Sequence, residues 1–184
     1  MSQFTRRAMI LGGAAAGLSA CGNGIGTNNS SKIDARVERT LAQMYAQYPS
    51  STTLVQKSSG MLVMPLMTEA GFGIGGGYGR GALMIDNAIV DYYSAAKANI
   101  GLQIGAQQYA HVLFFMTDEA LSAFRASRGW AAGAEVEYAF RGTGQTFKAD
   151  TIMTTAPVIA AVFGQAGLLA GATLEGVKYT RIIP

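Results

Sequence analysis

Every odd position from 71 to 81 is glycine, in the run Ala70-Gly71-Phe72-Gly73-Ile74-Gly75-Gly76-Gly77-Tyr78-Gly79-Arg80-Gly81. Side chains of an extended strand alternate between its two faces. The pattern therefore predicts a strand over 70–85 with one bare face, made of Gly71, Gly73, Gly75, Gly77, Gly79 and Gly81. The opposite face carries Phe72, Ile74, Gly76, Tyr78, Arg80 and Ala82. A face without side chains lets another backbone come very close, or lets the sheet bend sharply. Gly71, Gly73 and Gly76 also satisfy G-x-G-x-x-G, but a dinucleotide fold needs a helix directly afterwards. Here the pattern runs on as strand, and the Gly-Lys-Ser/Thr of a phosphate loop is absent.

The rest of the chain is read around this strand. Ile33, Val37, Leu41, Met44 and Tyr48 recur at helical spacing, predicting an amphipathic helix from Ser31, as N-cap, to Tyr48, ended by Pro49. Lys32, Arg36 and Arg39 flank its apolar stripe on one side, and Asp34 and Glu38 on the other. A short helix fits 52–58. Met61–Met64 is a brief strand stopped by Pro65, and Asp86-Asn87 turns the glycine strand into a return strand over 88–96. Residues 101–116 form a long strand. Thr117 caps an inserted helix reaching about Arg128, with Asp118 and Glu119 at its start and Arg125 and Arg128 at its end. Strands then fit 130–140, 146–153, 157–163 and 168–183. The fold class expected is α+β: a mostly antiparallel, strongly curved β-sheet or partial barrel, with an N-terminal amphipathic helix and one inserted helix at about 118–128.

The first twenty residues do not belong to that domain. Arg6-Arg7 precede an apolar run from Ala8 to Leu18, about 11 residues against the roughly 20 needed to span a bilayer. A basic segment followed by a short apolar run is an export signal. The run ends Leu18-Ser19-Ala20-Cys21, which resembles the lipobox of bacterial lipoproteins. There a thiol is acylated and the chain is cut before it. Cys21 is the one cysteine of the sequence, so it has no disulfide partner within the chain. Thr5-Arg6-Arg7 resembles the twin-arginine signal and favours that route over general secretion, for which any two positive charges suffice. Gly22, rather than Asp, after the cysteine favours the outer membrane, periplasmic side. The expected organisation is a signal peptide over 1–20, a Gly/Asn/Ser tether over 21–31 bearing the lipid on Cys21, and one domain over 32–184.

Charge decides against one class of partner. The chain has 14 Lys and Arg against 11 Asp and Glu. Loss of residues 1–20 removes Arg6 and Arg7, leaving twelve against eleven, far from the basic excess of a nucleic-acid binder. His111 is the single histidine, so a zinc site lacks its usual ligands. Ser94, His111 and Asp91 could be drawn as a triad, yet no nucleophile-elbow motif accompanies them. Neither catalytic nor metal residues are assigned, and no cofactor beyond the covalent acyl lipid on Cys21.

The glycine run from Ala70 to Gly81 resembles the signature of the SYLF lipid-binding domain family. The resemblance continues through Tyr92-Tyr93-Ser94, Gly101-Leu102-Gln103-Ile104-Gly105-Ala106-Gln107, Phe115-Met116-Thr117, Ala120-Leu121, Phe124 and Gly129-Trp130. It ends in Gly167-Leu168 and Leu174-Glu175-Gly176, and covers about residues 33–182. It implies a non-catalytic domain that binds phospholipid membranes, in eukaryotic relatives phosphoinositides and in some cases actin. In a bacterial envelope ordinary anionic phospholipids are the expected partners, and actin is not. The resemblance assigns part of the membrane contact to the N-terminal helix, with Lys32, Arg36 and Arg39 as candidate phosphate ligands and the apolar stripe entering the interface. The plainer reading is that the stripe packs on the sheet while the charges are solvated. A structural or interaction lipoprotein acting through an unknown protein partner is the alternative function.

Overall fold

A computed structural model describes residues 29–133, 135–141, 156–167 and 173–184. Helices α1 (Asn29–Gln47) and α2 (Ser51–Lys57) come first. Strands β1 (Gly60–Ile85) and β2 (Ala88–Phe115) follow, then α3 (Asp118–Ala126), β3 (Trp130–Ala131), β4 (Val136–Arg141), β5 (Val158–Gly167) and β6 (Lys178–Ile182). The α+β expectation holds: the sheet is mixed and curls through 232° into a half-barrel.

The sheet is organised by one very long hairpin. β1 pairs antiparallel with β2 from Gly60↔Phe115 to Ile85↔Ala88. Asp86 (φ 49°) and Asn87 (φ 63°) close it, the two positive φ values that a tight primed turn requires. The opposite edge of β2 pairs antiparallel with β6 along 92–96 and with β5 along 107–115. β3 extends β6, and β4 extends β5 in parallel.

A straight 28-residue strand such as β2 would run about 90 Å, twice the roughly 40 Å width of a domain this size. The hairpin must therefore bend, and the bare face shows where. A Cβ on Gly81 would lie 2.0 Å from the Val63 carbonyl oxygen, and one on Gly79 would lie 2.6 Å from that of Leu66. Gly77 faces Glu69, and Gly75 faces Gly71 and Ala70. Contacts 67·79, 69·77 and 71·75 are all centred on residue 73. The backbone that the glycines admit is thus the first half of their own strand, folded over at Gly73. β2 follows the corner by inserting two extra residues, as the register passes from Phe72↔Ile104 to Ile74↔Ile100.

Several expected boundaries give way to this hairpin. Pro65 does not stop the first strand; it sits in a bulge, where the register jumps from Met64↔His111 to Met67↔Tyr109 and a missing N–H breaks no ladder bond. The strands expected at 88–96 and 101–116 are one. The strand expected over 130–140 divides: β3 goes to β6 and β4 to β5. α1 starts two residues before Ser31, so Ser31 lies in the first turn and the helix absorbs the end of the expected tether. The inserted helix ends at Ala126, with the Thr117 hydroxyl accepting from the Ala120 N–H at 3.2 Å. The expected strand at 146–153 and Cys21 lie outside the described residues.

Both faces of the central strands are buried, which explains their unbroken apolar runs. Leu62, Met64, Leu113, Phe115, Val158, Ala160 and Val162 build one core. Met61, Val63, Val112, Phe114, Ile159, Ala161 and Phe163 build the other. Ile33, Val37, Leu41 and Met44 of α1 pack into that second core. The apolar stripe of α1 therefore faces the sheet, as the plainer reading expects, and is not available to enter a bilayer.

Candidate functional site

With its stripe committed, α1 presents only its flank. There, Asn29, Lys32, Ile33 and Arg36 form one wall of a groove of about 560 Å³. The other wall is β1 where its two halves meet: Leu66 and Thr68 from the first half, Tyr78, Gly79 and Arg80 from the second. Gly79 makes this geometry possible, because any larger residue would collide with the Leu66 carbonyl. The fold-over thus brings Arg80 to the helix, at a place that two separate strands would not create.

Lys32 and Arg36 are one helical turn apart on the same face, a like-charge pair that costs a few tenths of a kcal/mol. Arg80 adds a third cation. Among the described residues no carboxylate lines the groove, and none lies within ion-pair distance of these three. Asp34, the nearest acidic residue on the helix, accepts a hydrogen bond from the Tyr92 hydroxyl at 3.0 Å. All three cations are solvent-exposed.

The expected trio therefore splits. Lys32 and Arg36 line the groove, whereas Arg39 does not; its Nε–H donates to the Ala35 carbonyl of its own helix at 2.9 Å. Sequence reasoning missed Arg80. Its signal was present: it is the one charge in 70–85, on the face opposite the glycines. What could not be read was that the strand returns past its own start.

Elsewhere charge is enclosed and answered. Glu69, 2% exposed, accepts from Tyr109 Oη at 2.5 Å and Gln107 Nε2 at 2.9 Å, and pairs with Lys97 Nζ at 3.8 Å. Burial, with the Glu69 hydrogen bond second, pushes the Tyr109 phenol well above its ordinary range. Lys97 also donates to the Thr173 carbonyl at 2.8 Å. Asp91, likewise buried, is held by Arg181 and by Arg125 at 3.3 Å.

His111 is fully buried, with Nε2 2.8 Å from Tyr179 Oη. Burial lowers its pKa to about 3, so the ring is neutral across the physiological range. Ser94 Oγ donates to the Thr180 carbonyl, and Asp91 is committed to its arginines. The conceivable Ser94–His111–Asp91 triad is not assembled. Among the described residues no three His, Cys, Asp or Glu side chains gather as a metal site.

Residues 96–181 match the Ysc84 family, described as Las17-binding protein actin regulator. This is the SYLF domain family that the glycine run resembles, and it is a family of binding domains rather than enzymes. The matched stretch runs from within β2 to within β6, whereas Lys32, Arg36 and Arg80 precede it. No curated protein matches the chain.

Proposed function

We propose, from the match of residues 96–181 to the Ysc84 (SYLF) family, that the protein is a lipoprotein of the bacterial envelope whose domain binds the phosphates of anionic phospholipids without catalysing a reaction. The carrying observation is the groove. Three cations held together without a carboxylate are a cost to the fold that a bound anion offsets. A cation near an anionic membrane surface contributes about 1 kcal/mol, so three together favour the membrane by on the order of 100-fold.

Cys21 supplies the anchor in this proposal. A diacylglyceryl group there holds the chain at a bilayer permanently, on the periplasmic side of the outer membrane by the Gly22 rule. The groove then orients the domain on that surface, where a few contacts suffice. Mass spectrometry of the mature N-terminus tests the anchor: an acylated Cys21 is expected, and an unmodified thiol with residues 1–20 retained removes the envelope assignment.

Flotation of the Cys21→Ser chain with vesicles tests the groove. Wild-type groove residues are expected to carry the chain up with vesicles containing phosphatidylglycerol at low salt, and not with phosphatidylcholine alone. Changing Lys32, Arg36 and Arg80 together to Glu is expected to abolish flotation. Equal flotation of the two chains overturns the groove. The family's description names a protein partner, which supports a second reading in which the domain serves a protein of the envelope. Absence of flotation with any vesicle favours that reading.

A further inference from the structure

Phe72 and Ile74 stand at the corner of the folded hairpin with 80% and 78% of their surfaces exposed. Two large apolar side chains exposed together at a corner invite contact with an apolar partner. Around them the chain is uncharged throughout 70–79 and, on the paired strand, throughout 98–106. Phe72 and Ile74 are themselves paired in the ladder, Phe72 opposite Ile104 and Ile74 opposite Ile100, with a register shift of two residues between them. Hydrocarbon tolerates apolar side chains but not unpaired backbone N–H and C=O groups. This corner offers the first, and pairs the backbone of both Phe72 and Ile74 on either side of the bulge.

Resting on the membrane reading above, we propose that the corner at Phe72 and Ile74 is a wedge that enters the lipid interface beneath the headgroups engaged by the groove. Two features single out a bilayer as the occupant. Leu66, Thr68, Tyr78 and Arg80 of the groove lie four to eight residues from the corner along the two halves of β1, or roughly 13–26 Å of extended chain. Cations and apolar wedge thus follow one another along a single strand. Asn29, which lines the groove, is also only eight residues beyond Cys21, so the anchored sulfur lies within about 28 Å of the groove. The tether brings this end of the molecule to the membrane. Interfacial apolar groups reach about 5–10 Å into the headgroup–acyl boundary, a depth that two side chains on a narrow glycine-rich corner can occupy.

The test uses the Cys21→Ser chain with Phe72→Trp added, on phosphatidylcholine–phosphatidylglycerol vesicles with and without brominated acyl chains. The parent chain, with Trp130, gives the background. The new tryptophan is expected to shift to the blue on binding and to be quenched by the brominated chains. Phe72→Asp with Ile74→Asp is expected to weaken vesicle binding by about tenfold or more, with an unchanged melting temperature because both sites are exposed. If the chain binds vesicles but the new tryptophan is neither shifted nor quenched, the wedge is overturned and the groove stands. If the parent binds no vesicle, both fall. If the parent forms a dimer in sedimentation velocity without lipid, and the double aspartate change abolishes it, the corner's occupant is a second copy and the wedge is overturned.

Discussion

At Glu69 and Asp91 the protein sets cationic side chains against a buried carboxylate, whereas between α1 and β1 it gathers three cations with no carboxylate among the described residues. Both arrangements follow from the same folded hairpin. Gly77 leaves the room that Glu69 fills, and Gly79 lets the two strand halves meet under Arg80. The difference lies in where the missing side chain points its neighbour. Charge turned inward must be neutralised by the fold itself, since water is absent and an unpaired ion costs several kcal/mol. Charge turned outward can stay unanswered, because water screens it until a ligand replaces the water. The enclosed carboxylates therefore belong to stability, and the unanswered cluster is left open for the binding proposed above.

Removing one partner of an enclosed pair is the strongest way to break this contrast. Lys97→Met leaves the buried Glu69 carboxyl among Gln107 and Tyr109 without its paired cation. A stability loss of about 3–5 kcal/mol is expected in urea unfolding at pH 7. Lys97→Met combined with Glu69→Gln is expected to recover most of it, because the amide carries no charge to compensate. If the single change costs no more than the double one, Glu69 is not held by Lys97, and the inward half of the comparison fails.

His111 carries the same principle into pH dependence. The unfolded imidazole takes a proton near pH 6.5, while burial holds the folded one neutral down to about 3. Between those values the unfolded chain binds the extra proton, so stability is complete above pH 6.5 and falls as the pH drops. The slope is about 1.4 kcal/mol per pH unit. A loss of about 2 kcal/mol is expected between pH 6.5 and 5, a window above the ordinary carboxylate range. His111→Gln, which keeps a polar group beside Tyr179, is expected to flatten the curve there. An unchanged curve would place the proton uptake elsewhere.

The sequence made much of this legible, for reasons specific to each element. Alternating glycines announced a bare strand face, and Asp86-Asn87 announced the turn, because both are local conformational demands. The capping of α3 by Thr117 was local too. What approaches the glycines was not legible, since the contact joins residues up to eighteen apart within one strand and depends on a corner at Gly73. Pro65 read as a stop because a bulge is indistinguishable from an ending without the partner strand. Lys32 and Arg36 were visible as a helix flank. Arg80 joined them only through the fold-over, and Arg39 left them because its guanidinium turned back to Ala35. The division of 130–140 into two strands also depended on partners far along the chain.

The smallest expected effect sharpens the comparison most. If Lys32, Arg36 and Arg80 are held for a ligand and contribute nothing to the fold, replacing all three by Glu should leave stability nearly unchanged. Exposed substitutions away from packing features usually stay within about 0.5 kcal/mol. Relief of the Lys32–Arg36 repulsion is offset by the new Glu–Glu repulsion at the same spacing. Arg80→Gln alone isolates the third charge and removes it without creating an acid. Its melting temperature should match the parent at low salt, or exceed it slightly, and the difference should vanish at high salt, where repulsion between the three is screened. A marked loss of stability in either variant would mean that these cations are answered within the fold after all, and the groove would then join Glu69 and Asp91 on the structural side.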